Sequence, residues 1–269
     1  MIRLENSEVL GRPIRKDELG ELGISTVTRI LDAIDGGKPS EARDLVRYLW
    51  AEGKALHDLY ADWTWALMDF IAEKMGEDEL FHVLKKTQEW RRRRRAERYV
   101  HGGMQEGLQL TAEFLRAHRS GPEQLGTFVL RDEGDRYVID LDPCGSGGKM
   151  RRPDPVDGTP ARTEAPYSCG TVQKAYPWTW GKPGIARYCV HCCVNEIIEI
   201  ESVGYPICIH EYPDDPQQPC RWLFYKDPES IPEAYFTRVG KSKGHPPEPS
   251  GKLGSDSASG IPQDGRGRQ

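Results

Sequence analysis

The period of the hydrophobic pattern changes at about residue 120, and this change constrains the fold more than any other feature. Before it, apolar residues recur every three or four positions, as on one buried face of a helix. After about residue 126 the apolar runs are short, and residues 132–135 form a turn signal between two of them. We therefore predict an α+β fold, with an N-terminal helical bundle followed by a small Cys-rich α/β sheet domain.

Four helices are predicted in the first part. Ser25 or Thr26 begins a short helix that ends at Gly36, and a long helix runs from Pro39 to Met75. Two more follow, one from Asp78 and one over about 104–118. The apolar residues predicted to form one buried face of the long helix are Leu45, Val46, Leu49, Leu56, Leu59, Trp63, Leu67, Phe70 and Ile71.

Three regions follow from these patterns: a helical domain over 1–120, a Cys-rich domain over 126–239 and a disordered tail over 240–269. The Cys-rich domain is expected to contain a hairpin ending near Leu141, an irregular excursion over 143–187, a helix ending at Gly204 and two further strands. No apolar run approaches a membrane span. No secretory signal is recognisable, so a cytoplasmic location is expected. The net charge of −5 argues against a general nucleic-acid binder.

All of the cysteines follow residue 143, and they carry the strongest chemical signal. In a reducing compartment, clustered cysteines indicate a metal site or a reactive thiol more often than disulfides. Cys189 and Cys192 have the spacing that offers two soft ligands from one helical turn. The other donors lie at strand ends or on a strand. The predicted zinc ligands are Cys144, Cys189 and Cys192, with Cys220 or His210 as the fourth.

Other interpretations of the cysteines stay open. Four thiolates also suit an iron–sulfur cluster, and the Cys-x-x-Cys pair also suits a thiol redox protein, in which case the pKa of Cys189 is lowered. Buried cysteines also act as small apolar side chains. The roles of Cys169, Cys193 and Cys208 are not assigned by their spacing.

Three further features suggest ligand contacts. The Gly-rich segment that follows Cys144 is predicted to be either an anion-binding turn or a flexible turn, and Lys149 within it is a candidate ligand-binding residue. Trp178 and Trp180, on the long excursion, either cover a small-molecule pocket or pack in the core. The arginines at 91–95 are predicted to form a solvated helix end or a partner contact.

The order of elements in the second half resembles a known superfamily. A strand ends near Cys144, a glycine at Gly204 follows a helix, and a final strand carries Cys220 and Trp222. This pattern is similar to that of the 4-vinyl-reductase-type small-molecule-binding domains and the L-2-amino-thiazoline-4-carboxylate hydrolases, over about residues 126–226. The resemblance implies an α/β ligand-binding domain with cysteines near the ligand or metal. The Cys189–Cys193 cluster and the tryptophan-bearing excursion depart from the pattern.

These observations favour a zinc-dependent enzyme, a hydrolase of a small organic acid or amide, with Glu196 or Glu199 as general base. The alternatives are a non-catalytic small-molecule-binding or sensor protein with structural zinc, and a thiol redox protein. The expected partners are a small-molecule ligand and, as an open alternative, further copies of the chain in a homo-oligomer. Neither nucleic acid nor a membrane is expected as a partner.

Overall fold

The computed structural model describes residues 3–9 and 11–244, and it confirms the predicted α+β class. The predicted tail lies outside the described residues from residue 245 onward. The helices are α1 (Thr26–Asp35), α2 (Pro39–Met75), α3 (Glu77–Ala117), α4 (Gly147–Met150), α5 (Val190–Val203) and α6 (Ala234–Thr237). The strands are β1 (Arg3–Ser7), β2 (Arg12–Lys16), β3 (Val129–Asp132), β4 (Arg136–Leu141), β5 (Ile209–Glu211) and β6 (Cys220–Tyr225).

Local signals set the helix ends as predicted. The Ser25 hydroxyl accepts a hydrogen bond from the Thr28 N–H and begins α1. Gly76, with a φ of 99°, separates α2 from α3. Gly103, with a φ of 79°, interrupts α3, so the helix predicted over 104–118 is the last part of a kinked α3. Positive φ is readily available to glycine, which is why both breaks occur there.

Residues 3–7 and 12–16 are not helical, and the prediction of a helical region there was wrong. β1 and β2 form an antiparallel hairpin instead. The hairpin is held by contacts remote in sequence, since the Arg15 backbone N–H donates to the Tyr48 hydroxyl and its guanidinium donates to Thr26. No local pattern in residues 3–16 encodes these contacts.

The second half contains one antiparallel four-stranded sheet, with the strand order β3-β4-β6-β5. The predicted hairpin corresponds to β3 and β4. Pairing of β4 with β6 places Leu141 opposite Cys220. Cys144 follows Leu141 by three residues, so the sheet brings two of the predicted ligands to one end of neighbouring strands.

The helices of the first half and the elements of the second half share one core. Trp65 of α2 and Leu80 of α3 are fully buried in the same cluster as Ile198 of α5 and Ile209 of β5. The predicted boundary at 120–126 therefore marks a change of secondary structure within a shared core. This packing places α3 against α5, where the cysteine cluster begins.

The long helix α2 buries a different face from the predicted one. Leu45 is buried, but the predicted inward residues that are exposed include Val46, Leu56, Leu59, Trp63, Leu67 and Phe70. The buried side of its second half carries Lys54, Asp58, Ala61, Trp65, Met68 and Ala72. The sequence pattern indicated an apolar face correctly, but the shared core lies on the opposite side. In the described part of the chain, no helix combines the length and apolar character needed to cross a bilayer.

Candidate functional site

A cavity of about 580 Å³ lies between α2, α3, α5, the loop after β4 and the strands β5 and β6. Its walls contain most of the chain's thiol and imidazole groups. The cysteines that line it are Cys144, Cys189, Cys192, Cys208 and Cys220, and the histidines are His118, His191 and His210. The fold therefore brings all of the predicted metal ligands to one cavity.

The spacing of these ligands does not suit a shared zinc ion. Zinc at roughly 2.3 Å from each thiolate holds tetrahedral sulfur atoms about 3.8 Å apart. Among the described residues, only one set of three or more Cys, His, Asp or Glu side chains has all its ligand atoms within 4.8 Å of one another, and it contains no cysteine. Within the described part of the chain, no three of the predicted ligands lie close enough together to share one zinc ion.

That close set is Asp58, Asp154 and Asp157, and two lysines already offset most of its charge. The Lys54 ammonium lies 2.6 Å from Asp58, 2.9 Å from Asp154 and in hydrogen-bond contact with Asp157. The Lys149 ammonium contacts Asp58 and lies 3.0 Å from the Gln124 side-chain oxygen. The cluster is therefore a buried ion-pair network. Burial opposes the charged form of Asp58, but His57 and the two ammonium groups outweigh it and lower its pKa.

Cys144 has the environment of a reactive thiolate. Its Sγ lies 3.8 Å from Nε2 of His118, which also lies 3.0 Å from the Ser146 hydroxyl. The backbone N–H groups of Ser146 and Gly148 donate to the sulfur. Burial alone would raise the pKa of Cys144, but the bond and charge of His118 and the two N–H groups lower it to about 6. A thiol with this pKa is largely ionised at neutral pH, as a nucleophile requires.

The glycines after Cys144 allow the close approach on which this geometry depends. A Cβ atom at Gly145 would lie 1.4 Å from the His118 carbonyl oxygen, and one at Gly147 would lie 2.4 Å from the Cys189 sulfur. Only a residue without a side chain lets the loop pass this close to the end of α3. The Gly-rich turn thus positions the thiol against the imidazole.

We expect Gly145→Ala to destabilise the protein and to disrupt the thiol–imidazole pair. Because backbone must move to relieve the overlap, the free energy of unfolding should fall by about 3 kcal/mol. Urea denaturation measures this loss. The matched control is Gly23→Ala, since no atom lies within 4 Å of a Cβ at Gly23 and its φ is not positive. Equal stabilities of the two variants would contradict the close approach.

The other thiols of the cavity favour the protonated form. Burial raises the pKa of Cys189 to about 12 and raises the pKa of Cys192, Cys208 and Cys220 well above the ordinary value. The redox interpretation predicted a lowered pKa for Cys189, and the structure gives the opposite direction. His191 and His210 nevertheless contact thiols, with Nε2 at 3.5 Å from Cys192 and 3.6 Å from Cys208 respectively.

The two carboxylates predicted as general bases are held by other groups. Glu196 is completely buried and accepts from the Trp180 indole N–H and the His210 backbone N–H, while Arg238 pairs with its second oxygen. Its other contact is Nδ1 of His210, 3.0 Å away. Burial opposes its charged form, but Arg238 and His210 outweigh this and lower its pKa. Glu196 is therefore placed to orient His210 and not to abstract a proton.

Glu199 connects the cavity wall to the start of β5. One of its oxygens accepts from the backbone N–H groups of Ile207 and Cys208, and the other lies 3.3 Å from the Arg92 guanidinium. Because both of its carboxylate oxygens have partners, Glu199 holds Arg92 and the start of β5 in position. The geometry assigns neither glutamate the role of base, and places an imidazole beside the thiolate instead.

The predicted ligand-binding residues occupy three different places. Trp180 lines the cavity and is also buried in the shared core. Trp178 packs in the core, stacked between Tyr176 and Phe81. Lys149 points into the ion-pair network with Asp58 and lines a second, smaller pocket, apart from the cavity that contains the cysteines.

The arginine run divides between the cavity and its outside. Arg91, Arg92 and Arg95 line the cavity. Arg93 pairs with Glu89, and Arg94 lies over the Trp90 ring, so neither of them lines the cavity. The run is continuous in sequence, but a helix directs its members to different sides. Arg91 and Arg94 are exposed, while Arg92, Arg93 and Arg95 are half-buried.

Within the cavity the arginines have few counter-charges. Arg92 lies beside Glu199, and Arg95 donates to the Tyr99 and Thr111 hydroxyls, 3.3 and 3.1 Å away. Burial, and then the like charges of Arg92 and Arg95, lower the pKa of Arg91. Three guanidinium groups against one carboxylate leave this wall positive.

Sequence reasoning missed His118 as a site residue. It follows the last turn of α3 and lies 26 residues before Cys144, and no spacing rule links two such positions. The arginines were visible as a run, but only the packing of α3 on α5 shows which of them face the cavity.

Comparisons with known proteins provide no assignment. The chain matches no protein-family model, and neither a curated protein nor a solved structure is significantly similar to it. The resemblance to the thiazoline hydrolases therefore stays a prediction.

Proposed function

We propose that this protein is a cysteine-dependent hydrolase of a small organic anion that contains an amide or a related C–N bond. The observation that carries the proposal is the position of Cys144: its sulfur lies beside His118 Nε2, accepts two backbone N–H groups and faces a cavity of about 580 Å³. Thiol hydrolases typically have a nucleophile in contact with a base, and the pair lies within a pocket of ligand size. This function keeps the predicted reaction class and replaces zinc by a thiolate.

In the proposed reaction the Cys144 thiolate attacks the substrate carbonyl carbon and forms a tetrahedral adduct. His118, protonated in the ion pair, gives its proton to the leaving nitrogen as the C–N bond breaks, which leaves a thioester. Water then attacks the thioester carbon while neutral His118 accepts its proton. Cleavage of the C–S bond releases the carboxylic acid and returns the thiolate. The net reaction consumes one water and yields one acid and one amine.

The arginine wall supports an anionic substrate. Arg91, Arg92 and Arg95 lie on the same cavity as the thiolate and have Glu199 as their one acidic partner among the described residues. A guanidinium fork matches the geometry of a carboxylate and fixes its orientation. The carboxylate of the substrate would therefore be held by α3 while its C–N bond faces Cys144.

The pH dependence of thiol alkylation tests the site without a known substrate. Treated with iodoacetamide and mapped by mass spectrometry, Cys144 should react with an inflection near pH 6, because the thiolate fraction rises with pH through its pKa. In His118→Gln the main cause of the lowered pKa is lost, and the inflection should move towards the ordinary value of about 8.5.

The control for alkylation is Cys169, which lies outside the cavity and has a pKa raised to about 11 by burial. It should react slowly across the same pH range in both proteins. A Cys144 inflection unchanged by His118→Gln would contradict the dyad.

A metal-binding protein is the second candidate, favoured by the five cavity cysteines. Elemental analysis of protein purified without metal-affinity steps distinguishes the two. About one zinc or several iron atoms per chain, with Cys144 protected from alkylation until a chelator is added, would support the metal site and reject the thiol hydrolase. Metal-free protein with reactive Cys144 would support the hydrolase.

A further inference from the structure

The second half of α2 is apolar on two opposite faces. Trp65 is fully buried in the shared core, whereas Trp63, about 200° around the helix from it, is 58% exposed. A helix that is apolar on both sides is normally covered on both sides. The face that includes Trp63 forms the exposed stripe, and its residues are Leu56, Leu59, Tyr60, Trp63, Leu67 and Phe70.

The size of the exposed stripe is that of a protein interface. Its six side chains are each 50–58% exposed. Together they leave roughly 650 Å² open, close to the about 800 Å² that each partner buries in a stable complex. Monomeric proteins rarely expose a contiguous apolar patch larger than this.

Apart from Tyr60, whose mirror position holds Ala66, the residues of the stripe are placed symmetrically about Trp63. In an antiparallel pair of α2 helices that cross at Trp63, Leu56 of one copy meets Phe70 of the other, and Leu59 meets Leu67. A two-fold dimer requires such a self-complementary surface, because each contact occurs twice.

Charged residues at the ends of the stripe fit the same antiparallel pairing of two α2 helices. Glu52 and Lys74 lie eleven residues before and eleven after Trp63, so each would meet the other across the two-fold axis. Both side chains are exposed, and within the described structure neither has a hydrogen bond or ion pair. Opposite charges at mirrored positions favour a second copy over an unrelated partner.

We infer that the protein forms a homodimer through the exposed stripe of α2, with the two helices antiparallel and crossing at Trp63. The dimer would bury the stripe and form the Glu52–Lys74 pair twice. This inference does not depend on the chemistry of the cavity.

Sedimentation velocity of the full chain at micromolar concentrations tests the inference. The wild type should sediment as a dimer, and Leu67→Glu should weaken dimerisation at least ~100-fold, because it places a charge in the interface of both copies. Leu130→Glu is the matched control, since Leu130 is exposed to a similar extent, 49%, on strand β3 of the sheet and not on α2. A monomeric wild type, or a dimer that withstands Leu67→Glu, would overturn the proposal.

A charge exchange tests the register and leaves the apolar stripe intact. Glu52→Lys should weaken the dimer, because two lysines then meet at each end. Adding Lys74→Glu to the same chain should restore the affinity, as the pair is re-formed with its signs reversed. Failure of the double variant to recover would reject the antiparallel arrangement. Circular dichroism and thermal melts confirm that each variant is folded.

Discussion

Cys144→Ser should abolish hydrolysis of the substrate, with a loss in kcat/KM of at least ~10³-fold. The hydroxyl is a much weaker nucleophile than the thiolate, and the lowered pKa that His118 and the backbone N–H groups produce has no counterpart at serine. Binding of the substrate anion should change little, because the arginine wall is untouched.

The measurement needs a panel of small amides and cyclic amidines that carry a carboxylate, with the neutral methyl esters as a second panel. L-2-Amino-thiazoline-4-carboxylate belongs in the first panel because of the family resemblance. Cys169→Ser is the control and should keep full activity, since Cys169 does not line the cavity. Turnover that survives Cys144→Ser would reject the proposed nucleophile.

Lys54→Met should lower the free energy of unfolding at neutral pH by about 3–5 kcal/mol. The side chain of Lys54 is only 2% exposed and contacts Asp58, Asp154 and Asp157. Methionine fills a similar volume without the charge, so the buried carboxylates lose their common partner. Urea denaturation of the variant and of Lys86→Met, an exposed lysine on α3, measures the difference.

The contribution of this ion-pair network to the free energy of unfolding falls as the pH is lowered. The folded-state pKa values of Asp58 and Asp157 are lowered, so the network stabilises the wild type above the unfolded value of about 4. That stability is lost as the pH falls through the folded pKa values. The difference between Lys54→Met and wild type should shrink in acid, and adding Asp154→Asn should recover part of it at neutral pH. A loss below about 1 kcal/mol would contradict the buried network.

The secondary structure that local chemistry controls was predictable. Ser25, Gly76 and Gly204 mark helix ends by capping or by positive φ, and these properties belong to the residues themselves. The β1–β2 hairpin was not predictable, because it depends on Arg15 reaching Tyr48 and Thr26.

The candidate site was predictable in part. Clustering of cysteines indicated one site, and the strand pairing of Leu141 with Cys220 shows why they converge. Spacing along the chain does not give distances between sulfurs, so it could not distinguish a zinc ion from a thiolate nucleophile. For the same reason the sequence pointed to Glu196 and not to His118: His118 lies beside the Cys144 sulfur and Glu196 lies beside His210, and packing decides both contacts.

By itself, the sequence determined the α+β class, the limits of α1, α2 and α5, and the gathering of thiols in the second half, because each depends on residue type and local spacing. Tertiary structure alone decided which side of α2 is buried, which arginines face the cavity and which cysteine has a lowered pKa. Each of these depends on the environment that distant elements create, since burial and neighbouring charge set both the free energy of a face and the pKa of a thiol.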